Sequence, residues 1–186
     1  MKLAVGISGA SGVELALRFM ENLPACIEVF VILSPHAKQV ARQEMGLDLK
    51  QALLDLPRVP RIFQHHQIDA PLASGSFGLH ALAIIPASLN IIAKIAHGIC
   101  DDLLSRCAAV VLKEQQKLLL APRELPLNSI ALNNLLILAK ERAIIAPPML
   151  TYYTKPKDLK SMELFLVGKW LDALGIANDL YSRWGG

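Results

Sequence analysis

The stretch LAVGISGASG, Leu3 to Gly12, decides the fold because it joins an apolar strand to a helix through a glycine-rich turn. Residues 3–7 are apolar apart from one glycine, which is typical of a short buried strand. Residues 13–23 then carry apolar side chains at helical spacing. A turn with so few side chains lets another group approach the backbone closely. That group is a dinucleotide, a single phosphate or a neighbouring helix.

The same alternation of strand and helix continues along the chain. The predicted strands are 3–7, 27–33, 82–85, 118–121 and 143–146, and the predicted helices are 13–23, a helix after Pro35, 88–97, 101–114, 129–142 and 159–174. Because the strands are apolar on both faces, they predict a mainly parallel central sheet covered by helices on both sides. The length of 186 residues suits one α/β domain, 1–186. Ligands of such sheets bind beyond the carboxyl ends of the strands.

Composition excludes several classes of function. The net charge is only +3 and the basic residues are scattered, which argues against a nucleic-acid partner. Hydrophobic residues make up 53% of the chain, an excess that predicts contacts between subunits. The three cysteines, Cys26, Cys100 and Cys107, have no metal-binding spacing and are expected to be buried thiols of a cytoplasmic protein. We expect no metal site.

Residues 70–93 form a long uncharged stretch that is long enough for a membrane-spanning helix. Pro71, Gly75 and Pro86 interrupt it, and a bilayer cannot satisfy the backbone groups that they free. The amino terminus also lacks the pattern of a secretory signal. We therefore expect no membrane association.

Small polar residues follow three of the predicted strands, in GISGASG, in Leu33-Ser34-Pro35 and in Pro86-Ala87-Ser88. Each group stands at a helix amino terminus, where unpaired N–H groups favour an anion. The glycine spacing does not match the dinucleotide fingerprint, and no P-loop lysine follows. A mononucleotide with one phosphate, such as FMN, is favoured. The structural alternative is a set of turns in which Ser11 and Ser34 cap the helices that follow them.

Cationic and aromatic residues in the second half of the chain suit a phosphate monoester and a flat ring. Arg123 follows a strand directly and so lies at the ligand edge, with Glu124 beside it as an orienting partner or a proton acceptor. The other members of this set are Arg106, Lys113, Tyr152, Tyr153, Lys169 and Trp184. Taken singly, each of them is also compatible with an ordinary surface or packing role.

Five motifs resemble the UbiX-type flavin prenyltransferases. They are GISGASG, ASGSF at 73–77, AHGICDDLLSRCAAVVLKE at 96–114, LLLAPRELPL at 118–127 and PPMLTYY at 147–153. The resemblance spans nearly the whole chain in order, and the pair LKE…PRE.PL is its most specific part. The wider superfamily includes the flavin-dependent cysteine decarboxylases.

The resemblance implies a Rossmann-like (flavodoxin-like) three-layer sandwich and a metal-independent transferase. Such enzymes join the dimethylallyl group of dimethylallyl phosphate to reduced FMN at N5 and C6. The product, prenylated FMN, is used by UbiD-type decarboxylases, as in ubiquinone biosynthesis. Homo-oligomers, dodecamers with sites between subunits, are also implied, and the segment 155–186 is expected to contact neighbouring subunits.

The resemblance also assigns site residues by position. FMN is expected to contact Gly9, Ala10, Ser11, Ser34, Ser88, Leu89, Asn90, Ile91 and Arg106. Dimethylallyl phosphate is expected to contact Lys113, Arg123, Tyr153 and Lys169, and the expected catalytic residues are Ser11, Glu44, Glu124 and Trp184. Lys169 stands where many relatives have arginine, so it keeps the charge and loses the bidentate fork. The base for ring closure is either Glu124 or the released phosphate.

Two features do not match a simple transfer of the family pattern. The third loop of the family usually reads Pro-Cys-Ser-x-Lys-Thr, and here residues 86–91 read Pro-Ala-Ser-Leu-Asn-Ile. The part Pro-Ala-Ser-x-Asn leans toward the decarboxylases, and Ile91 loses a hydroxyl. The decarboxylase substrate clamp Pro-x-Met-Asn is absent from the sequence.

The position of Lys113 is the second feature. Lys113 ends a helix that leads into a strand, so it should lie at the sheet's amino edge, away from the phosphate. Either the helix is offset or Lys113 reaches a neighbour's site. A cysteine decarboxylase and a non-enzymatic FMN carrier remain as alternatives.

Overall fold

Six parallel strands form one twisted sheet in the structure, a computed structural model that describes residues 1–183. The strands are β1 (Lys2–Ile7), β2 (Glu28–Leu33), β3 (Arg61–Gln64), β4 (Ala81–Ala87), β5 (Lys117–Pro122) and β6 (Ile144–Ile145). Their order is β3-β2-β1-β4-β5-β6, and all five pairings are parallel. The chain reverses direction across the sheet between β3 and β4, so β1 and β4 flank the topological switch point where such folds bind ligands.

Helices cover both faces of this sheet. They are α1 (Val13–Glu21), α2 (Ala37–Met45), α3 (Leu49–Leu54), α4 (Leu89–Ala96), α5 (Leu103–Lys113), α6 (Ser129–Lys140) and α7 (Leu159–Leu174). The hydrophobic cluster on one face joins the sheet to α1, α2, α3 and α7, and the cluster on the other face joins it to α4, α5 and α6. The molecule is therefore a three-layer sandwich, as predicted.

Alternation along β1 shows why the strands are apolar throughout. Leu3, Val5 and Ile7 belong to one hydrophobic cluster, whereas Ala4 belongs to the other. Gly6 has the same orientation as Ala4, and a Cβ placed there would lie only 2.4 Å from Cδ1 of Leu104 on α5. One glycine of the opening stretch therefore makes room for a neighbouring helix.

Two elements were not predicted, because their sequences lack a strong period. The strand β3 is short, lies at the edge of the sheet and is at most half-buried, so its sequence RIFQ has no apolar run. The helix α3 has only six residues. The predicted bounds of α7, by contrast, agree with the structure, since sixteen residues provide a clear pattern.

Three further expectations from the sequence were wrong. Ser34 does not cap α2, because that helix begins after His36. Ser11 does not cap α1 either, because Gly12 is the N-cap residue and has a left-handed conformation with φ 97°. Cys26 and Cys100 lie in exposed turns between elements, and of the three cysteines only Cys107 is buried.

No helix in residues 1–183 is long and apolar enough to cross a membrane. The uncharged stretch 70–93 folds instead into two short 3₁₀ turns at 71–73 and 75–77, the central strand β4 and the start of α4.

Asp102 illustrates how polar side chains begin these helices. Its carboxylate accepts a hydrogen bond of 2.8 Å from the Ser105 backbone N–H and forms a capping box at the start of α5. It also accepts from Lys94 Nζ at 2.9 Å. Burial opposes the ionisation of Asp102, but the hydrogen bonds from Ser105 and Lys94 outweigh it and lower its pKa.

We predict that Asp102→Ala lowers the free energy of unfolding by about 1 kcal/mol at pH 7, the usual effect of a lost helix cap. Because the folded-state pKa is depressed, the contribution is complete above the unfolded value of about 3.9 and is lost as the pH falls below it. Urea unfolding between pH 7 and pH 3 measures this. Asp101→Ala is the matched control, since Asp101 also binds Lys94 but caps no helix; equal losses in both variants would contradict the prediction.

Candidate active site

Two adjoining cavities lie at the carboxyl edge of the sheet and share Gly9 and Ser88. Cavity A has a volume of about 450 Å³ and is lined by Ser8, Gly9, Ser34, Pro35, His36, His65, Ser88, Asn90, Ile91, Lys94, Asp101, Asp102 and Leu104. Cavity B has a volume of about 300 Å³ and is lined by Gly9, Ala10, Ser11, Val40, Gln43, Glu44, Ser88, Leu89, Arg123 and Glu124. The structure thus brings together most of the residues that the sequence predicted, on the loops after β1, β2, β4 and β5.

The amino terminus of α1 is already occupied by an anion from the chain itself. Glu44, on α2, accepts hydrogen bonds from the backbone N–H of Gly12 at 2.9 Å and 3.2 Å and from that of Val13 at 3.4 Å. A carboxylate at this position neutralises the N–H groups and the helix dipole that would otherwise attract a phosphate. In this structure Glu44, rather than a ligand, occupies the N–H groups that follow the loop GISGASG, and Ser11 lines cavity B beside Glu44.

A buried serine that the sequence analysis missed ties the first loop to the third. Ser8 Oγ donates to the carbonyl oxygen of Pro86 at 2.7 Å and accepts from the backbone N–H of Ser88 at 2.8 Å. The third loop then starts α4, because Ser88 Oγ accepts from the Ile91 N–H at 3.4 Å. The only sequence signal for Ser8 was its place directly after β1.

The first loop also packs tightly against the second. A Cβ on Gly9 would lie 2.5 Å from Cβ of His36, so only glycine lets these two loops approach. The three loops thus form one connected wall around both cavities.

The groups of cavity A that can bind an anion are backbone N–H groups and a hydroxyl, not a lysine. The N-terminus of α4 opens into it, and Ser34 Oγ is buried with no hydrogen-bond partner among the described residues. Lys94 also lines the cavity, but it is bound to Asp101 at 2.7 Å and to Asp102 at 2.9 Å, and these hydrogen bonds raise its pKa. A buried unpaired hydroxyl at a helix amino terminus is a strong indication of a polar ligand.

Two histidines, His36 and His65, line cavity A. His65 directly follows β3 and is half-buried, and its carbonyl oxygen accepts from the Leu103 N–H at 2.7 Å. His36 begins α2 and is exposed. His65 lies at the ligand edge because it directly follows β3, a parallel strand that the sequence did not predict.

Cavity B combines one guanidinium with two carboxylates. Arg123 follows β5, and its backbone N–H donates to the carbonyl oxygen of Ala87 at 3.2 Å. Glu124 comes next, and Glu44 closes the other side. Such a set can hold a phosphate through Arg123 and can accept a proton through a carboxylate.

An apolar cavity C of about 280 Å³ adjoins cavity B and shares Ser11 and Glu44 with it. Its lining comes mostly from the end of the chain, with Pro148, Met149, Leu150, Leu159, Met162 and Leu166. It could take an apolar group that must lie next to Ser11.

Four predicted residues do not line cavities A or B. Lys113 ends α5 at the amino edge and pairs with Glu114, and Arg106 is exposed on the same helix. Lys169 lies in the second half of α7, which runs toward the amino edge, since the carbonyl oxygen of its last residue accepts from Lys117 Nζ at 2.8 Å. Tyr153 packs edge-on against Phe165 at 5.7 Å. Trp184 lies outside the described residues.

Comparisons with known proteins agree with this geometry. The family described as Flavoprotein matches residues 1–164. The flavin prenyltransferase UbiX of Helicobacter pylori strain J99 is 58% identical over 185 residues, which cover 100% of this chain and 99% of that protein.

Two solved structures cover the whole of this chain. A dodecameric FMN-dependent UbiX-like decarboxylase from Escherichia coli O157:H7 has a TM-score of 0.94 at 32% identity and is itself covered fully. AnUbiX (PadA1), in complex with FMN and dimethylallyl pyrophosphate, has a TM-score of 0.93 at 30% identity, with 97% of that chain covered.

The buried hydroxyls of Ser8 and Ser34 allow a paired prediction. Ser8→Ala removes a hydroxyl that makes two hydrogen bonds, so the free energy of unfolding of the ligand-free protein should fall by about 1–3 kcal/mol. Ser34→Ala removes a hydroxyl with no partner in residues 1–183 and should leave this free energy nearly unchanged or raise it. Chemical denaturation of both variants measures the difference; a larger loss for Ser34→Ala than for Ser8→Ala would contradict this description of the loops.

Proposed function

Since the chain belongs to the Flavoprotein family, we propose that it is a flavin prenyltransferase that uses FMN. The observation that carries this proposal is the 58% identity with a flavin prenyltransferase over the full length of both chains. The complex of AnUbiX with FMN and dimethylallyl pyrophosphate supports FMN and a phosphorylated dimethylallyl donor as the ligands of this chain. The reaction joins the dimethylallyl group of dimethylallyl phosphate to N5 and C6 of reduced FMN.

The two cavities suggest how FMN is bound. The phosphate and ribityl chain fit cavity A, where Ser34 Oγ and the start of α4 provide polar groups. The ring then lies toward cavity B, beside the first loop. The residues that we propose for FMN are Gly9, Ala10, Ser11, Ser34, Ser88, Leu89, Asn90 and Ile91, and Arg106 is a contact from a neighbouring subunit. The side chain of Ile91 is apolar, and its backbone N–H already donates to Ser88 Oγ. We therefore propose that the third loop binds FMN mainly through Ser88 and Asn90.

Reduced FMN supplies the nucleophilic N5 and C6 atoms, and the chain's own groups handle charge and protons. Cleavage of the allylic C–O bond leaves inorganic phosphate, whose growing charge Arg123 stabilises. Cavity C can receive the apolar dimethylallyl group next to Ser11, so that proximity assists bond formation. Ring closure at C6 would consume the C=C bond of the dimethylallyl group, which would gain a proton at one carbon and bond C6 at the other, while C6 would lose its own proton. Glu124 or the released phosphate would carry these protons.

One subunit holds only part of this apparatus. Lys113 and Lys169 lie toward the amino edge, whereas Arg123 and Glu124 lie at the carboxyl edge. We therefore assign Arg106, Lys113, Tyr153 and Lys169 to the site of a neighbouring subunit, which makes the homo-oligomer, a dodecamer in one solved neighbour, necessary for turnover. Lys169 belongs to the segment 155–186, which we propose to contact neighbouring subunits. Delivery of prenylated FMN to a UbiD-type decarboxylase for ubiquinone biosynthesis, and a cytoplasmic location, remain predictions from the sequence.

Anaerobic incubation with reduced FMN and dimethylallyl phosphate, followed by mass spectrometry, should yield prenylated FMN. Arg123→Ala and Glu124→Gln should each slow its formation at least tenfold without abolishing FMN binding, because both groups act on the transferred fragment rather than on the flavin phosphate. Release of carbon dioxide from a cysteine-like substrate without prenylated FMN would favour a decarboxylase. If no prenylated FMN forms and both variants still bind FMN like the wild type, the result would favour an FMN carrier.

Ser11→Ala should reduce turnover more than FMN affinity. In the structure Ser11 lines cavities B and C, and Glu44 occupies the helix amino terminus beside it. Flavin fluorescence titration and single-turnover kinetics separate the two effects. Equal losses in both would indicate that the loop binds the flavin phosphate after all.

A mixing experiment tests the shared site. Lys113→Ala and Arg123→Ala should each be inactive, but in a random 1:1 co-assembly about a quarter of the sites receive an intact Arg123 from one chain and an intact Lys113 from another. Mixing Arg123→Ala with Glu124→Gln is the matched control and should restore nothing, since both residues line the same cavity of one chain. Absence of recovery in the first mixture would place Lys113 and Arg123 in one subunit's site or outside the reaction.

A further inference from the structure

Asp172, in the last turn of α7, gathers hydrogen bonds from the segment that follows the helix. Arg183 donates to both carboxylate oxygens, at 2.9 Å each, and Asn178 Nδ2 donates to Oδ1 at 2.8 Å. The hydroxyl of Tyr181 donates to Oδ2. Three side chains of residues 176–183, hereafter the C-terminal strap, therefore converge on one carboxylate.

The stability of α7 does not explain an aspartate at this position. A carboxylate near a helix carboxyl terminus is repelled by the helix dipole, and the last turn of α7 contains no basic residue. The bonds from Arg183 above all, then those from Tyr181 and Asn178, outweigh desolvation and hold the pKa of Asp172 at about 2. The carboxylate is thus ionised throughout the neutral range, and its partners are on the strap rather than on the helix.

The strap in turn lies directly on the helix surface. A Cβ on Gly168 would lie 2.5 Å from Cδ1 of Tyr181, so glycine is required for this ring to lie against α7. The Tyr181 ring packs edge-on against Phe165 at 5.1 Å, and Phe165 packs edge-on against Tyr153 at 5.7 Å.

The same ring also contacts a cation. The ammonium of Lys169 lies 5.8 Å from the centroid of Tyr181, within the range of a cation–π interaction. Tyr181 is thus in contact, directly or through Phe165, with both Lys169 and Tyr153. These two exposed side chains are the ones assigned above to dimethylallyl phosphate.

We propose that Asp172 is a positioning residue for the phosphate donor: it fixes the strap on α7, and the strap's Tyr181 orients Lys169 and Tyr153 toward the site of the neighbouring subunit. The inference rests on the proposed function, in which these two residues contact the donor. Asp172 itself touches no reactant, because its oxygens are occupied by the strap.

The test measures strap order and donor binding separately. Asp172→Asn and Tyr181→Phe are compared in the assembled, FMN-loaded protein by hydrogen exchange of the amides in 176–183, by calorimetric titration with dimethylallyl phosphate and by steady-state kinetics. We expect faster exchange in the strap and an increase of at least tenfold in the Kd and KM for dimethylallyl phosphate in Asp172→Asn. The affinity for FMN should not change, and Asp172→Glu should recover part of the donor affinity.

Tyr181→Phe keeps the ring and removes one of the bonds to Asp172, so it should give a smaller effect of the same kind without a risk of misfolding. Asp48→Asn is the matched control, because Asp48 also pairs with an arginine, Arg42, at an exposed helix end far from α7. Faster amide exchange in the strap with unchanged affinity for dimethylallyl phosphate would overturn the positioning role. Unchanged amide exchange in Asp172→Asn would show that Asp172 does not fix the strap on α7. Wild-type protein that binds the donor without forming prenylated FMN would contradict the proposed function and not this inference.

Discussion

The hydrogen bonds between the Glu44 carboxylate and the N–H groups of Gly12 and Val13 determine how the carboxyl edge of the sheet can be used. In a sheet of this topology several helix amino termini point at the same crevice, and each could attract a phosphate. Glu44 already accepts hydrogen bonds from the N–H groups at the start of α1, so these groups are not free for a phosphate. In the proposed arrangement the flavin phosphate binds at the start of α4 and at the Ser34 hydroxyl, which has no hydrogen-bond partner in residues 1–183, and the first loop faces the reacting end of the ligand.

A second consequence concerns the two edges of the sheet. The helices that cross from one edge to the other carry their last residues away from the cavities, so Lys113 and Lys169 lie far from Arg123 in the same chain. In the proposed reaction the leaving phosphate gains charge, which several cations close together would stabilise. An arrangement of subunits that brings the amino edge of one chain to the carboxyl edge of another satisfies that need, and it also gives a reason for exposed apolar residues such as Ile130 and Leu136 on α6.

The sequence predicted the three-layer α/β fold because its strands are uninterrupted apolar runs and its longer helices have clear periods. Small polar residues at strand ends located the loops that line the cavities, and the family resemblance added Glu44, Leu89, Asn90 and Ile91. It did not predict β3, because a half-buried edge strand such as RIFQ leaves no periodic signal. The sequence also could not predict the hydrogen bonds of the Ser8 and Glu44 side chains, because these bonds join residues that are more than thirty positions apart.

A structure of the assembled protein with FMN and dimethylallyl phosphate would test the central claim most directly. The flavin phosphate should lie at Ser34 and the start of α4, and Ser11 should face the reacting end of the flavin. The donor phosphate should contact Arg123 of one chain together with Lys113 and Lys169 of its neighbours. A flavin phosphate at the amino terminus of α1 with Glu44 displaced, or a donor bound by a single chain, would contradict this description of the site.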